Sequence, residues 1–197
     1  MSRSLYLVGG AGTGKSTFMA QLLLELGAVM GPLVDLHAKR NAKALVTLRG
    51  HWLDTDSGKI GLYLGHLRPG NHPGTDGLDR ASGRTGVEWL QQTARLPFIV
   101  GEGATLATRP FLSELNSSTE LMLLHLTCSS EAELSRRFAR RGTEQNASFV
   151  TSTRTAARNR AVELEKAGAN VVHVETTRVG ACDEGLDQAV EWLESAN

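Results

Sequence analysis

The stretch LYLVGGAGTGKSTF, residues 5–18, restricts the possible folds of this 197-residue chain more than any other part of it. Its first apolar residues, Leu5–Val8, predict a buried strand. A segment rich in Leu, Met, Ala and Gln follows, Ser16–Leu26, and Gly27 comes directly after it. This composition with a terminal glycine predicts a helix. The chain therefore begins with a strand, a glycine loop and a helix.

The glycine loop matches the pattern G-x-x-x-x-G-K-[ST] as GGAGTGKS, residues 9–16. Glycines let successive backbone N–H groups turn inward onto phosphate oxygens, and the helix N-terminus adds a positive dipole end. We expect Lys15 to reach the transferring end of a triphosphate, Ser16 to ligate Mg²⁺ and Thr17 to contact an inner phosphate. The residues expected to bind ATP in this loop are Gly10, Ala11, Gly12, Thr13, Gly14, Lys15, Ser16 and Thr17.

Strand and helix signals alternate along the rest of the chain. We expect a short second strand at Leu33–Leu36, a hairpin around the turn signal DSG at 56–58, and a long loop up to a helix at Gly86–Arg95. A later helix is expected at Thr155–Lys166. This alternation predicts an α/β fold with a doubly wound parallel sheet and helices on both faces. We expect one domain over residues 1–197, with an acceptor-binding insert at about 38–84 and an Arg-rich lid at about 136–155.

Charge and composition exclude some classes of protein. The 21 basic and 21 acidic residues balance, so net charge gives no argument for a polyanionic partner. Charge is uneven locally, since residues 136–160 hold seven arginines and one acid, Glu144. Cys128 and Cys182 match no metal or redox spacing, and no apolar run has membrane-spanning length. With no signal peptide visible, we expect a cytoplasmic protein with free thiols and no membrane partner.

The remaining motifs favour a kinase over a switch or a motor. The chain lacks the N-K-x-D signature of GTP switches, and the apolar run PFIVGEG ends in a single acid, Glu102, rather than Asp-Glu. We expect Glu102 to hold Mg²⁺ through water beside the loop. An arginine-bearing helix leading into a lid can neutralise transition-state charge and exclude water. Arg137 and Arg141 share one face of that helix and are the expected catalytic arginines, with Arg137 also contacting ATP. The adenine is expected near TTRVGA, residues 176–181.

Two aspartates are candidates for the acceptor side, because an alcohol acceptor must lose a proton. Asp35 ends the second predicted strand, which in a doubly wound sheet would place it next to the phosphate loop. His37 would lie on the same side of the extended chain as a substrate contact. Asp76 lies in HPGTDG, where glycines permit close approach of the backbone to a ligand. The sequence alone leaves open which aspartate is the base.

Three segments resemble a phage and actinobacterial group of P-loop kinases. They are LYLGHLRPGNHPGTDGLDRASGRTGVEWL, VGEGATLATRPFL and RRGTEQNASFVTSTRTAARN, and they cover most of the chain. The group includes the 5-hydroxymethyluracil DNA kinases of phages with modified thymine. The resemblance implies ATP-dependent phosphorylation of a hydroxymethyl group on a base within DNA, with Asp76 as the acceptor-side carboxylate. It also implies that Arg68 and Arg80 lie near the substrate. We further expect substrate contacts from Gly74, Thr75, Asp76 and Glu102.

Other acceptors remain possible at this point. A deoxynucleoside monophosphate kinase is one alternative, although the acceptor region offers carboxylates and no tight arginine pair. A DNA-associated ATPase without a dedicated acceptor is another. If DNA binds, we expect a local patch from Arg136–Arg160 together with Arg68, Arg80 and Arg84.

Overall fold

The computed structural model describes residues 2–41, 44–66, 74–79, 81–93, 96–140, 142, 146–177, 180 and 182–195. The strands are β1 Arg3–Gly9, β2 Val29–Asn41, β3 Ala44–Asp54, β4 Ile60–Leu64, β5 Phe98–Glu102, β6 Glu120–Thr127 and β7 Asn170–Glu175. The helices are α1 Lys15–Glu25, α2 Ser82–Gln92, α3 Arg109–Ser118, α4 Glu131–Arg140, α5 Ala147–Lys166 and α6 Asp183–Glu194, with a 3₁₀ turn at Thr75–Gly77.

The seven strands form one sheet in the order β2-β3-β4-β5-β1-β6-β7. The five strands from β4 to β7 in this order are parallel, whereas β3 runs antiparallel to β4 and β2 antiparallel to β3. Strands β2 to β5 all lie on one side of β1, and the chain then crosses to β6 on the other side. The carboxyl end of β1 is therefore the switch point of the sheet, where ligands bind in doubly wound folds.

Helices cover both faces of the sheet, as the alternation of strands and helices predicted. Helices α2, α3 and α5 pack on one face, around residues such as Tyr6, Trp89 and Phe111. Helices α1 and α6 pack on the other, around Leu7, Phe18 and residues of β5 and β6. The expected α/β fold, with helices on both faces of a largely parallel sheet, is confirmed.

Three elements differ from their predicted bounds. The second strand, β2, has 13 residues instead of four and lies at the edge of the sheet. Its residues alternate between buried and exposed, with Leu36 and Ala38 in the core. Helix α2 begins at Ser82 rather than Gly86. Helix α5 begins at Ala147, because the Asn146 side chain accepts a hydrogen bond from Ser148 N and caps the helix.

The expected hairpin around residues 56–58 is present as β3 and β4. Strand β4 of this hairpin pairs with β5 in the parallel part of the sheet. Strands β3 and β2 therefore extend the sheet beyond β4 as antiparallel strands. None of the helices among the described residues is long and apolar enough to cross a membrane.

Candidate active site

The phosphate loop connects the carboxyl end of β1 to the first residue of α1. Gly12 and Gly14 have φ angles of +80° and +90°, a region that L side chains rarely adopt, so glycine is required at both places. The Lys15 ammonium donates hydrogen bonds to Gly9 O at 3.0 Å and Gly10 O at 3.2 Å. The lysine that would reach the triphosphate is thus held against its own loop.

Helices α4 and α5 cover the tip of this loop. A Cβ on Gly12 would lie 2.9 Å from the Phe138 ring of α4, and one on Gly10 would lie 3.3 Å from Arg154 Cβ of α5. The Ala11 amide donates to the Thr153 hydroxyl of α5 at 3.1 Å. Residues of α4 and α5 that belong to the expected lid therefore pack directly on the residues expected to bind phosphate.

Glu102, at the end of β5, is buried beside the first turn of α1. Its side chain is 2% exposed and accepts hydrogen bonds from Ser16 Oγ at 3.1 Å and Tyr63 OH at 3.4 Å. Burial raises the pKa of Glu102 to about 6, against an opposing contribution from the Ser16 hydrogen bond and the positive charge of Lys15. A carboxylate destabilised in this way gains from a nearby cation.

A carboxylate and a hydroxyl are oxygen donors of the kind that Mg²⁺ prefers, so Ser16 and Glu102 fit the expected metal site. Within the described ranges no group of three or more His, Cys, Asp or Glu side chains could hold a metal ion. With two oxygen donors, the pair is suited to a cation that takes its other ligands from phosphate oxygens and water.

The segment Gly74–Asp76 packs directly on the end of β5. A Cβ on Gly74, at φ +71°, would lie 2.5 Å from Glu102 Cγ, and one on Gly103, at φ +108°, would lie 2.9 Å from Asp76 Oδ1. Asp76 Oδ1 accepts hydrogen bonds from Ala104 N at 2.5 Å and Thr105 N at 3.3 Å. The motifs Gly74–Asp76 (G-T-D) and Gly101–Gly103 (G-E-G) therefore pack together, which places Asp76 next to Glu102.

Two buried tyrosines complete this unit. Tyr6 OH donates to Gly103 O at 3.0 Å and contacts Thr75 Oγ1 at 2.9 Å, and Tyr63 OH bonds to Glu102. Burial raises the pKa of both phenols far above the ordinary value, and the nearby acidic groups raise it further. Both tyrosines therefore remain neutral and can donate a hydrogen bond at any working pH.

The predicted placement of Asp35 next to the phosphate loop is wrong. Strands β3, β4 and β5 lie between β2 and β1, and Asp35 lies within β2 rather than at its end. Its carboxylate pairs with Arg49 Nε at 3.0 Å, and about half of each side chain is exposed. His37 lies two residues further along β2, with its Nδ1 3.3 Å from Thr47 Oγ1. The argument for Asp35 as the base is thereby removed.

Arg137 lies on α4 and binds protein groups. Its guanidinium donates to Gly12 O at 3.1 Å and to the Thr176 hydroxyl at 3.0 Å, and also to Thr176 O. Glu133 accepts from Arg137 Nε at 2.9 Å. Arg137 therefore joins the phosphate loop to the segment after β7, where adenine is expected. The other predicted arginines, Arg68, Arg80 and Arg141, lie outside the described residues.

Several site residues were missed by sequence reasoning. Tyr6 lies in the predicted buried first strand and Tyr63 in the predicted hairpin, and neither was expected at the site. A tyrosine among aliphatic residues is nevertheless a signal for a buried hydroxyl partner. Thr153 and Arg154 were placed in the lid rather than against the phosphate loop. No local pattern marks that contact, because it joins residues 142 positions apart.

Comparisons with known proteins give one family match and several structural matches. A family model described as P-loop Nucleotide Kinase3 matches residues 1–193. Solved structures that match include the crystal structure of a gluconokinase from Sinorhizobium meliloti 1021. That likeness has 17% sequence identity and a TM-score of 0.45, and covers 98% of this chain and 91% of that chain. No curated protein matches the chain.

Proposed function

The chain belongs to the P-loop Nucleotide Kinase3 family, and we propose that it transfers the γ-phosphoryl group of ATP to a hydroxyl group of a nucleotide. The leading acceptor is the hydroxymethyl group of 5-hydroxymethyluracil in DNA. The observation that carries this proposal is the position of Asp76, held by backbone amides next to the buried Glu102 and Ser16.

The donor half of the reaction uses the phosphate loop. The backbone amides of residues 10–17 hold the phosphates, and Lys15 leaves Gly9 O and Gly10 O to reach the transferring group. Bound Mg²⁺ would neutralise charge on the phosphate oxygens, with Ser16 and Glu102 as the residues that hold it. Lys15 then stabilises the charge that develops on the oxygen between the leaving ADP and the γ-phosphorus.

The acceptor half uses Asp76. Its Oδ1 is fixed by Ala104 N and Thr105 N, whereas Oδ2 has no hydrogen bond to any other residue that the structure describes. Oδ2 can therefore accept the proton of an alcohol. As the alcohol oxygen bonds to the γ-phosphorus, the bond from phosphorus to the β,γ-bridging oxygen breaks, ADP leaves and the proton moves to Asp76. A base in DNA must also be unstacked or single-stranded to reach this carboxylate.

A deoxynucleoside monophosphate kinase is the second candidate, and the family description as nucleotide kinase favours it. Its acceptor is an ionised phosphate oxygen, which needs arginine contacts and no base. Asp76 distinguishes the two reactions, because a carboxylate beside the attacking atom helps an alcohol and repels a phosphate.

One labelling experiment separates these reactions. The protein is incubated with γ-labelled ATP and, separately, hydroxymethyluracil DNA, unmodified DNA and free deoxynucleoside monophosphates, with Lys15→Ala as the inactive control. Label in the modified DNA alone supports the proposal. Label in nucleoside diphosphates overturns it in favour of the second candidate. Free phosphate in every tube, without labelled product, indicates an ATPase with no dedicated acceptor.

A further inference from the structure

The β2–β3 hairpin is basic although the whole chain is neutral. The sequence from Leu36 to Leu53 contains four Lys or Arg residues, two His residues and no Asp or Glu. The basic residues are Lys39, Arg40, Lys43 and Arg49. Asp35 and Asp54 lie just outside this stretch. A cluster of positive charge on this hairpin attracts polyanions.

The two faces of the hairpin differ in their surroundings. Leu36, Ala38 and Leu48 are buried in the core beneath α2. Because side chains alternate along a strand, the residues between them project to the opposite face, where they are exposed. We call this exposed surface the ribbon face, formed by Asp35, His37, Lys39, Thr47 and Arg49.

The ribbon face begins beside the candidate acceptor site. One row of paired residues crosses four strands and contains Gly101, Leu64, Gly50 and Val34. The next row toward the carboxyl edge contains Glu102, Gly65, Arg49 and Asp35. Neighbouring strands are about 4.8 Å apart, so the Cα atoms of Glu102 and Arg49 are about 10 Å apart. Glu102 projects to the face covered by α1, because Val100, two residues before it, packs on that face. Arg49 projects to the same face, because its neighbour Leu48 packs on the opposite one.

The segment Gly74–Asp76 lies between Glu102 and Arg49. Gly65 N donates to Arg49 O at 2.9 Å, and a Cβ on Gly65 would lie 2.3 Å from the carbonyl carbon of Gly74. Gly74 in turn packs on Glu102. Glu102, the Gly74 segment and Arg49 therefore follow one another across the edge, so Arg49 is on the acceptor side, away from the phosphate loop.

The charges of the ribbon face are available to a ligand. Arg49 uses Nε for Asp35, and its terminal nitrogens make no hydrogen bond to another described residue. The arginines of α4 differ, because Arg136, Arg137 and Arg140 all pair with Glu133. An exposed ion pair contributes about 1 kcal/mol or less, so a phosphate can compete for Arg49 at little cost.

We propose that the ribbon face binds the sugar–phosphate backbone of a nucleic-acid strand whose reacting nucleotide lies at Asp76. Arg49 contacts the phosphate nearest the reacting nucleotide, and Lys39 contacts one further out. Lys39 lies four positions after Asp35, the strand partner of Arg49, and four steps span about 14 Å along a strand. A mononucleotide carries its phosphate at one point, whereas a strand presents phosphates along its length. The inference rests on the proposed nucleotide acceptor and specifies that acceptor as part of a strand.

Binding is measured separately from catalysis. A fluorescently labelled 20-nucleotide single-stranded DNA without modified bases is titrated with protein, without ATP, at several salt concentrations. We expect Lys39→Gln and Arg49→Gln each to weaken binding about five-fold and to reduce the slope of log affinity against log salt by about 0.7. The matched control is Lys166→Gln, an exposed lysine at the end of α5, which should bind like the wild type. Equal melting temperatures confirm that the variants are folded.

The outcomes distinguish this inference from the proposed reaction. Unchanged affinity and salt dependence in both variants overturn the ribbon face, even if hydroxymethyluracil DNA is labelled. Loss of binding without any labelled DNA retains the ribbon face and overturns the reaction. If Arg49→Gln raises only the KM for a free mononucleotide, Arg49 serves a single phosphate and the strand proposal is wrong.

Discussion

Replacing Glu102 by Gln should stabilise the ligand-free protein above neutral pH while it removes a residue of the candidate site. Glutamine has nearly the same shape. Ser16 and Tyr63 donate to different oxygens of Glu102, so the single oxygen of glutamine can accept one of these hydrogen bonds, while its amide nitrogen can donate to the other hydroxyl. Glutamine differs in carrying no charge. The wild-type carboxylate is buried, and its pKa is raised from 4.5 to about 6, so the folded state favours the protonated form.

The size of the effect follows from linkage. Because the folded pKa lies above the unfolded value, the folded state binds more protons between pH 4.5 and 6, and stability falls as pH rises through this range. The difference between about 6 and 4.5 corresponds to about 2 kcal/mol at pH 8, at roughly 1.4 kcal/mol for each pKa unit. For a chain of this length that is about 4–8 °C in melting temperature. At pH 4.5 only a few tenths of a kcal/mol should remain.

Thermal unfolding at pH 8 and pH 4.5 tests this reasoning. Glu102→Gln should melt higher than the wild type at pH 8 and close to it at pH 4.5. Glu165→Gln, which changes an exposed carboxylate in the last turn of α5, is the matched control and should show no difference at either pH. Equal melting temperatures at pH 8, or the same gain at both pH values, would show that burial does not destabilise the Glu102 carboxylate.

Three further predictions concern the site and its surroundings. Asp76→Asn should lower kcat by about 100-fold, or about 3 kcal/mol, in the hydroxymethyluracil DNA assay; near-normal turnover would exclude Asp76 as the base. Arg137→Ala should lower the free energy of unfolding in urea by about 2–3 kcal/mol, because it removes hydrogen bonds to Gly12 and Thr176. The control Arg136→Ala should change that free energy by less than about 0.5 kcal/mol. Equal effects of the two substitutions would refute this. Burial lowers the pKa of His125 below 6.5, so the contribution of this residue to stability should be lost as pH falls below 6.5; a titration by NMR that shows a raised pKa would contradict this.

The donor half of the site could be predicted from the sequence because its information is local. The phosphate loop needs a strand, a helix and glycines at fixed spacing, and all three lie within about twenty residues. Glu102 was expected beside the loop because its strand ends in one acid, and the Ser16 contact places it there.

The acceptor half could be predicted only in part, because strand order is not local. Asp35 follows α1 in sequence, which suggested a strand beside β1, but the inserted hairpin moves β2 to the edge of the sheet. In contrast, Gly74 and Gly103 stand where a side chain would overlap the other motif. Each motif therefore needs glycine because of the other, and no local pattern in the sequence shows this requirement.

The contacts of Arg137 and Thr176 also bear on synthesis of the chain at the ribosome. Thr176 contacts the carbonyl oxygens of Thr13 and Thr127, and Arg137 joins Thr176 to Gly12. The phosphate loop is made first, yet the segment that supports it follows about 160 residues later. If the loop binds ATP as proposed, we therefore expect a nascent chain to acquire ATP affinity only after Thr176, which follows β7, has left the exit tunnel.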